Sequence, residues 1–236
     1  MAEYLDAVLQ FPDSRNDFFA FVGNRWGHIE IANGEPHADK LLGSTDPLEY
    51  YRPLSVPQVG FTRVDAVIPV TGRPEQRWVF SQDRWVTDDM ATGAEPREAD
   101  AATLPAARPL SEWSALSDPS VAFTQVDAAI PVPGQATQFW VFFRDQYARI
   151  DIPNEDPTQT KVIDGAENQS RWTVLANAKF TRVDAVIPVP DQANQYWVFS
   201  GQNWVRIIVH DDNPQKVELR NGPSRIKGSW KSLTDF

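Results

Sequence analysis

Phe61-Thr62-Arg63-Val64-Asp65-Ala66-Val67-Ile68-Pro69-Val70 is the stretch on which the fold turns, because the chain repeats it. It returns as Phe123-Thr124-Gln125-Val126-Asp127-Ala128-Ala129-Ile130-Pro131-Val132 and as Phe180-Thr181-Arg182-Val183-Asp184-Ala185-Val186-Ile187-Pro188-Val189. A weaker copy opens the chain as Tyr4-Leu5-Asp6-Ala7-Val8. The four Asp stand 59, 62 and 57 residues apart (65−6, 127−65, 184−127). Self-similarity at such a period marks a fold built from one unit that cannot bury its faces alone.

Outward from each Asp the spacing is fixed. Thirteen residues on stands a large aromatic (Phe19, Trp78, Trp140, Trp197), and fifteen on a Phe (Phe21, Phe80, Phe142, Phe199). Twenty on stands another aromatic (Trp26, Trp85, Tyr147, Trp204). The rest of each unit varies in length, as a rigid hairpin followed by a looser connection would. Asp-Ala-Val-Ile is a short apolar run stopped by Pro, which cannot donate to a sheet ladder. Trp78-Val79-Phe80 has the aromatic and β-branched content of a strand. Polar turns such as Ser81-Gln82-Asp83 separate it from a third strand. The polar tail of each unit, ending near Tyr51, Trp113, Trp172 or Trp230, reads as a short outer strand plus a helical turn. Aromatics repeated in every unit are expected to serve the core between units.

Four such sheets stacked about an axis bury one another's faces and close the set. The expectation is an all-β, four-bladed β-propeller with short helical turns between blades. It would form one domain over 1–236, with blades near 1–58, 59–120, 121–178 and 179–236. With no cysteine to close the ring, packing or strand pairing between Met1–Leu9 and Ser229–Phe236 must do so.

Composition narrows the function. The 236 residues are 42% apolar and 23% charged, enough for a core. A net charge of −10 repels phosphate backbones, so nucleic acid is not an expected partner. No apolar run spans a membrane. The start carries no basic, apolar leader and the chain no cysteine, which suits a cytoplasmic or non-classically secreted protein. No nucleophile–base pair, metal-binding His pair or phosphate loop is evident, so no enzyme activity is expected.

The Val-Asp-Ala-Val/Ala opening, the aromatic-x-Phe second strand and the aromatic-led third strand resemble the hemopexin-like repeat. Phe142-Phe143-Arg144-Asp145-Gln146-Tyr147-Ala148-Arg149-Ile150-Asp151 is especially similar. The resemblance covers the whole chain and is nearest to stand-alone four-repeat members, the type-2 seed albumins and related lectin-like proteins. It implies a central channel where backbone carbonyls of the repeat-opening Asp positions hold a cation, often calcium or sodium. Those positions are Asp6, Asp65, Asp127 and Asp184. Read from the residues alone, four carboxylates at one mouth are either a hard oxygen site or local hydrogen-bond acceptors for strand-start amides.

Other candidates are aromatics outside the regular offsets, Phe18, Tyr50 and Tyr51, as ligand contacts. His28 and His210, near third-strand ends of the first and fourth units, keep haem open. The leading expectation is a lectin-like protein taking a glycan or small molecule. A polyamine or haem carrier of storage-albumin type, and a protein-interaction module docking through Thr87–Leu116, are the alternatives. A homodimer is left open.

Overall fold

The computed structural model describes residues 4–89 and 104–236. Each repeat forms one antiparallel sheet in simple up-and-down order. The first contains β1 (Ala7–Gln10), β2 (Asp17–Val22), β3 (Arg25–Ile31) and β4 (Asp39–Leu41), with β5 (Asp46–Pro47) also pairing β3. The second contains β6 (Ala66–Pro69), β7 (Gln76–Ser81), β8 (Arg84–Asp89) and β9 (Arg108–Pro109). The third contains β10 (Ala128–Pro131), β11 (Gln138–Phe143), β12 (Gln146–Asp151) and β13 (Lys161–Asn168). The fourth contains β14 (Ala185–Pro188), β15 (Gln195–Ser200), β16 (Asn203–Ile208) and β17 (Glu218–Arg225). Single helical turns follow the sheets: α1 (Arg52–Ser55), α2 (Ser114–Ser117), α3 (Thr173–Asn177) and α4 (Lys231–Thr234).

The inner strands touch in cyclic order: β1 meets β6, β6 meets β10, β10 meets β14 and β14 meets β1. The result is a four-bladed propeller. Its core is not inside any sheet. Four apolar clusters each straddle one junction, between the first and second sheets, the second and third, the third and fourth, and the fourth and first. The second strands are therefore buried on both faces, as Phe139 to Phe143 are. One blade alone would expose both of its apolar faces, so the ring is the smallest unit that buries them.

The tail aromatic of each repeat is the hub on which the spaced aromatics converge. Trp113 packs edge-on against Trp78 at 5.2 Å and Trp85 at 5.9 Å, with Phe80 at 5.1 Å. Trp172 gathers Trp140, Phe142 and Tyr147, and Trp230 gathers Trp197, Phe199 and Trp204. Tyr51 does the same for Phe19, Phe21 and Trp26. The offsets of 13, 15 and 20 are thus the geometry of one aromatic nest, built four times.

Each helical turn latches onto the following blade: α2 onto β13, and α4 onto β4 of the first sheet. The latter closes the ring. The Asp39 carboxylate accepts the backbone N–H groups of Lys231 at 2.9 Å and Ser232 at 2.7 Å. Leu5 and Val8 share an apolar cluster with Trp230 and Leu233. Closure is by packing and capping; β1 and β17 belong to separate sheets. Gly27 stands where the other blades carry Val86, Ala148 and Val205. A Cβ there would lie 2.9 Å from the Phe236 ring and 3.0 Å from Leu41, so these side chains pack in the space the glycine leaves.

The second blade breaks the pattern in its core. Where the other sheets pair Phe18 with Ile29, Phe139 with Ile150 and Tyr196 with Ile207, it pairs Arg77 with Asp88. The hub facing Asp88 is Tyr51 instead of Trp, and its hydroxyl donates to Asp88 at 3.0 Å. Arg77 donates to the Gln10 carbonyl across the junction at 3.0 Å. Three polar departures from the repeat thus share one buried place: Tyr51 satisfies Asp88, while Arg77 is satisfied by the carbonyls of Pro74, Gln76 and Gln10, as burial requires. The long connection expected at Thr87–Leu116 ends in β9 and α2, and its residues 90–103 lie outside the described residues.

Candidate channel site

The four repeat-opening Asp stand one residue ahead of β1, β6, β10 and β14, so ring closure brings them to the same mouth of the channel. Each is fixed twice by its own blade. Its backbone N–H donates to the carbonyl of Phe21, Phe80, Phe142 or Phe199 at 2.8–3.1 Å. Its Oδ2 accepts the N–H of Gly23, Gln82, Arg144 or Gly201, seventeen residues on, at 2.5–2.6 Å. Those four residues open the turn between second and third strands, and all have positive φ, between 55° and 59°. Glycine adopts that region freely, whereas Gln82 and Arg144 sit there at a cost of about 1–2 kcal/mol each. The clamp holds them in place. It also explains why this part of each repeat keeps its length. The first repeat makes the same clamp despite its different lead-in.

The carboxylates feel one another. Burial raises the Asp6 carboxyl above its ordinary range, opposed by the Gly23 N–H and by Arg63. The charges of Asp65 and Asp184 push it further up. Asp127 is raised in the same way, by burial first and then by Asp184 and Asp65. Burial also raises Asp184, against the Gly201 N–H and Arg182. Among the described residues, no three acidic or histidine side chains gather as a metal-ligating group. Below the mouth, the axis is lined by Ala7, Ala66, Ala128 and Ala185 with Asp6 and Asp127, around a cavity of about 20 Å³. That is room for about one water-sized occupant. The donors here are oxygens and the walls small and apolar, a setting that suits a hard cation.

Two arginines at the mouth escaped the sequence reading. Arg63 lies against Asp65 through its Nε and 3.8 Å from Asp6. Arg182 pairs with Asp184 at 2.6 Å. They sit across the ring from each other, two residues before their Asp, where the other repeats have Tyr4 and Gln125. With Gln125, Asp127 and Arg144 they line an open basin of about 470 Å³. The signal was a variable position inside an otherwise constant lead-in.

The other candidates separate clearly. Phe18 and Tyr51, expected as accessible ligand contacts, are instead core, at 0% and 1% exposure. Phe18 fills the inward-facing place cross-strand from Ile29, and Tyr51 is the hub of its nest. Tyr50, next to it, is 53% exposed. His28 stacks on Phe11 at 4.7 Å and bonds Asp17 at 2.9 Å. His210 bonds Glu218 at 3.2 Å. Each histidine is therefore engaged by a carboxylate of its own sheet.

Four up-and-down sheets closed about a channel, each opened by an Asp clamp, define a hemopexin-fold propeller. Solved structures of this fold match the chain nearly end to end. The hemopexin fold protein CP4 from cow pea superposes with a TM-score of 0.78 at 18% identity, over 98% of this chain and 97% of its own. A plant albumin from Cicer arietinum showing hemagglutination gives 0.77 at 17% identity, over 98% and 97%. A plant lectin from Cicer arietinum with two metal binding sites gives 0.76 at 18% identity, over 98% and 97%. At such identity the likeness is one of fold. No protein-family model matches the chain, and no curated protein matches it in sequence. Among the described residues no helix is long and apolar enough to cross a membrane.

Proposed function

We propose that this chain is a non-enzymatic, lectin-like ligand-binding protein whose channel holds a structural cation. The observation that carries the reading is the meeting of the four clamped Asp at one mouth, above a small axial cavity whose lining includes Asp6 and Asp127. A cation there would offset the repulsion. Because every Oδ2 is committed to a turn amide, main-chain oxygens would supply ligands and the carboxylates would supply charge. Calcium and sodium both suit such donors. The same reading treats 1–236 as a single domain whose blades break near 58, 120 and 178.

Glycan binding is supported by the two similar folds described as a hemagglutinating albumin and a lectin. The test is erythrocyte agglutination and a glycan array, each with and without chelator. The reading expects sugar-inhibitable binding that weakens on chelation, and no binding on either platform would end it. A polyamine carrier is the second reading, favoured by the net charge of −10. Calorimetric titration with spermine separates the two.

A further inference from the structure

The second and third blades meet at a cleft that we infer to be a binding socket for a guanidinium group. The inference comes from the protein's own pseudo-symmetry and is independent of the channel reading. Twenty-two residues after each opening Asp, cross-strand from the aromatic at offset 13, stand His28, Thr87, Arg149 and Arg206. In the third blade the Arg149 Nε donates to Gln138 Oε1 at 2.9 Å, and its terminal nitrogen reaches Asp212 of the next blade at 3.0 Å. In the fourth blade the Arg206 Nε donates to Gln195 Oε1 at 3.0 Å. Its terminal nitrogen lies 3.4 Å from the Gly34 carbonyl and 3.8 Å from Glu35 of the next blade, and its guanidinium lies 5.9 Å from the Trp197 ring centre. Both arginine side chains are nearly buried, at 10% and 15% exposure.

The second blade keeps the frame and loses the occupant. Gln76 stands where Gln138 and Gln195 do, Trp78 where Trp197 does, and Glu155 of the next blade where Asp212 does. The strand position itself is Thr87, too short to reach any of them. A cleft of about 250 Å³ remains, lined by Gln76, Trp78, Thr87, Glu155 and Asp156, with Arg73 and Arg108 also on its wall; Arg108 is paired with Glu112 and lies 4.8 Å over the Trp85 ring. Asp156 keeps its carboxyl below the ordinary range by accepting from Thr158 and Gln159.

One guanidinium already reaches the rim. Arg73, on the loop before β7, contacts Glu155 through its Nε and donates weakly to Gln76 Oε1 at 3.3 Å. It occupies the same acceptors as the sibling arginines, but from solvent, with its side chain 53% exposed. An exposed ion pair of this kind is worth little, so displacing it is cheap. A ligand entering over Thr87 would follow the path of the sibling arginine side chains and be far less solvated. The ligand class is therefore a guanidinium on a flexible apolar stem, as in an arginine side chain or a free alkylguanidine. The flat, forked donor set matches one amide oxygen and one carboxylate better than an ammonium would.

Titration calorimetry with arginine amide and with N-butylguanidine, using lysine amide and acetate as controls, tests the proposal. Both guanidines should bind the wild type in preference to lysine amide, and acetate should not bind. Arg73→Ala should tighten guanidine binding several-fold by vacating the rim. Thr87→Arg, which rebuilds the sibling arrangement, should abolish it while the melting temperature holds or rises. Glu155→Gln serves as a second, isosteric variant at a half-buried position and should weaken binding about tenfold, the loss of one charge-assisted contact. Guanidine binding unchanged in both Thr87→Arg and Glu155→Gln, no binding by the wild type, or acetate binding instead would overturn the assignment.

Discussion

Asp39 in the first sheet and Ser232 in the last helical turn are 193 residues apart in sequence and joined at 2.7 Å. A single carboxylate caps both Lys231 and Ser232, and Phe236 lies over Gly27 of the same sheet. The fourth blade is thereby fixed to the first, and the junction cluster from Leu5 to Leu233 lies beneath this latch.

Asp39→Ala should therefore loosen the whole ring, not just a terminus. The buried Ser232 amide and hydroxyl and the part-buried Lys231 amide lose their acceptor, at a cost of about 2–4 kcal/mol. Deleting residues 229–236 removes Trp230 and Leu233 as well, and should abolish the cooperative transition. Thermal unfolding followed by far-UV and tryptophan signals checks both. A truncated protein with the wild-type melting temperature would show that the ring is not closed there.

The buried Asp88 gives stability a distinctive pH dependence. Burial first, and then Asp89, raise its carboxyl to about 6, against the Tyr51 hydroxyl and Arg77. A raised acid keeps its proton in the folded state where the unfolded chain has already lost it. Its favourable contribution is whole below about pH 4 and fades as pH rises through about 6. The swing amounts to about 3 kcal/mol. Because Asp6, Asp127 and Asp184 are raised too, the comparison is with Asp88→Asn, which leaves them in place. Between pH 4 and 7 the wild type should lose stability relative to the variant. Parallel stability curves would refute a buried, titrating Asp88.

The Asp-to-turn clamp makes opposite predictions for its two ends. Gln82 has φ of 55°, which costs about 1–2 kcal/mol, while glycine there adds about 0.5–1 kcal/mol of chain entropy. Gln82→Gly should thus stabilise by about 0.5–1 kcal/mol. Asp65→Ala leaves the Gln82 N–H and Arg63 without their acceptor and should cost about 2 kcal/mol. Urea unfolding of the pair measures both.

The repeat made much of this legible. The opening Asp and the aromatics at 13, 15 and 20 recur because every blade needs the same clamp and the same nest, and recurrence is visible in a sequence. The hub role of Trp113 was not, since its distance from Trp78 and Trp85 crosses the connection whose length varies. The inward place of Tyr51 is hidden in the sequence for a related reason. Its neighbour Tyr50 is exposed, and only the 3-10 turn Leu48–Tyr50 ahead of α1 decides which of the two faces inward. The cluster of Tyr51, Arg77 and Asp88 needed strand register, because the paired residues are eleven apart and carry no motif. Arg63 and Arg182 hid inside the lead-in as its one varying position.

The central claim is an axial cation held where the four opening Asp meet. Its most direct measurement is calcium titration of chelator-treated protein by calorimetry, with sodium as competitor and thermal unfolding as a second readout. Saturable binding of one ion per chain on the axis, with a rise in melting temperature that chelator reverses, is the predicted result. No heat and no shift with either ion would contradict it.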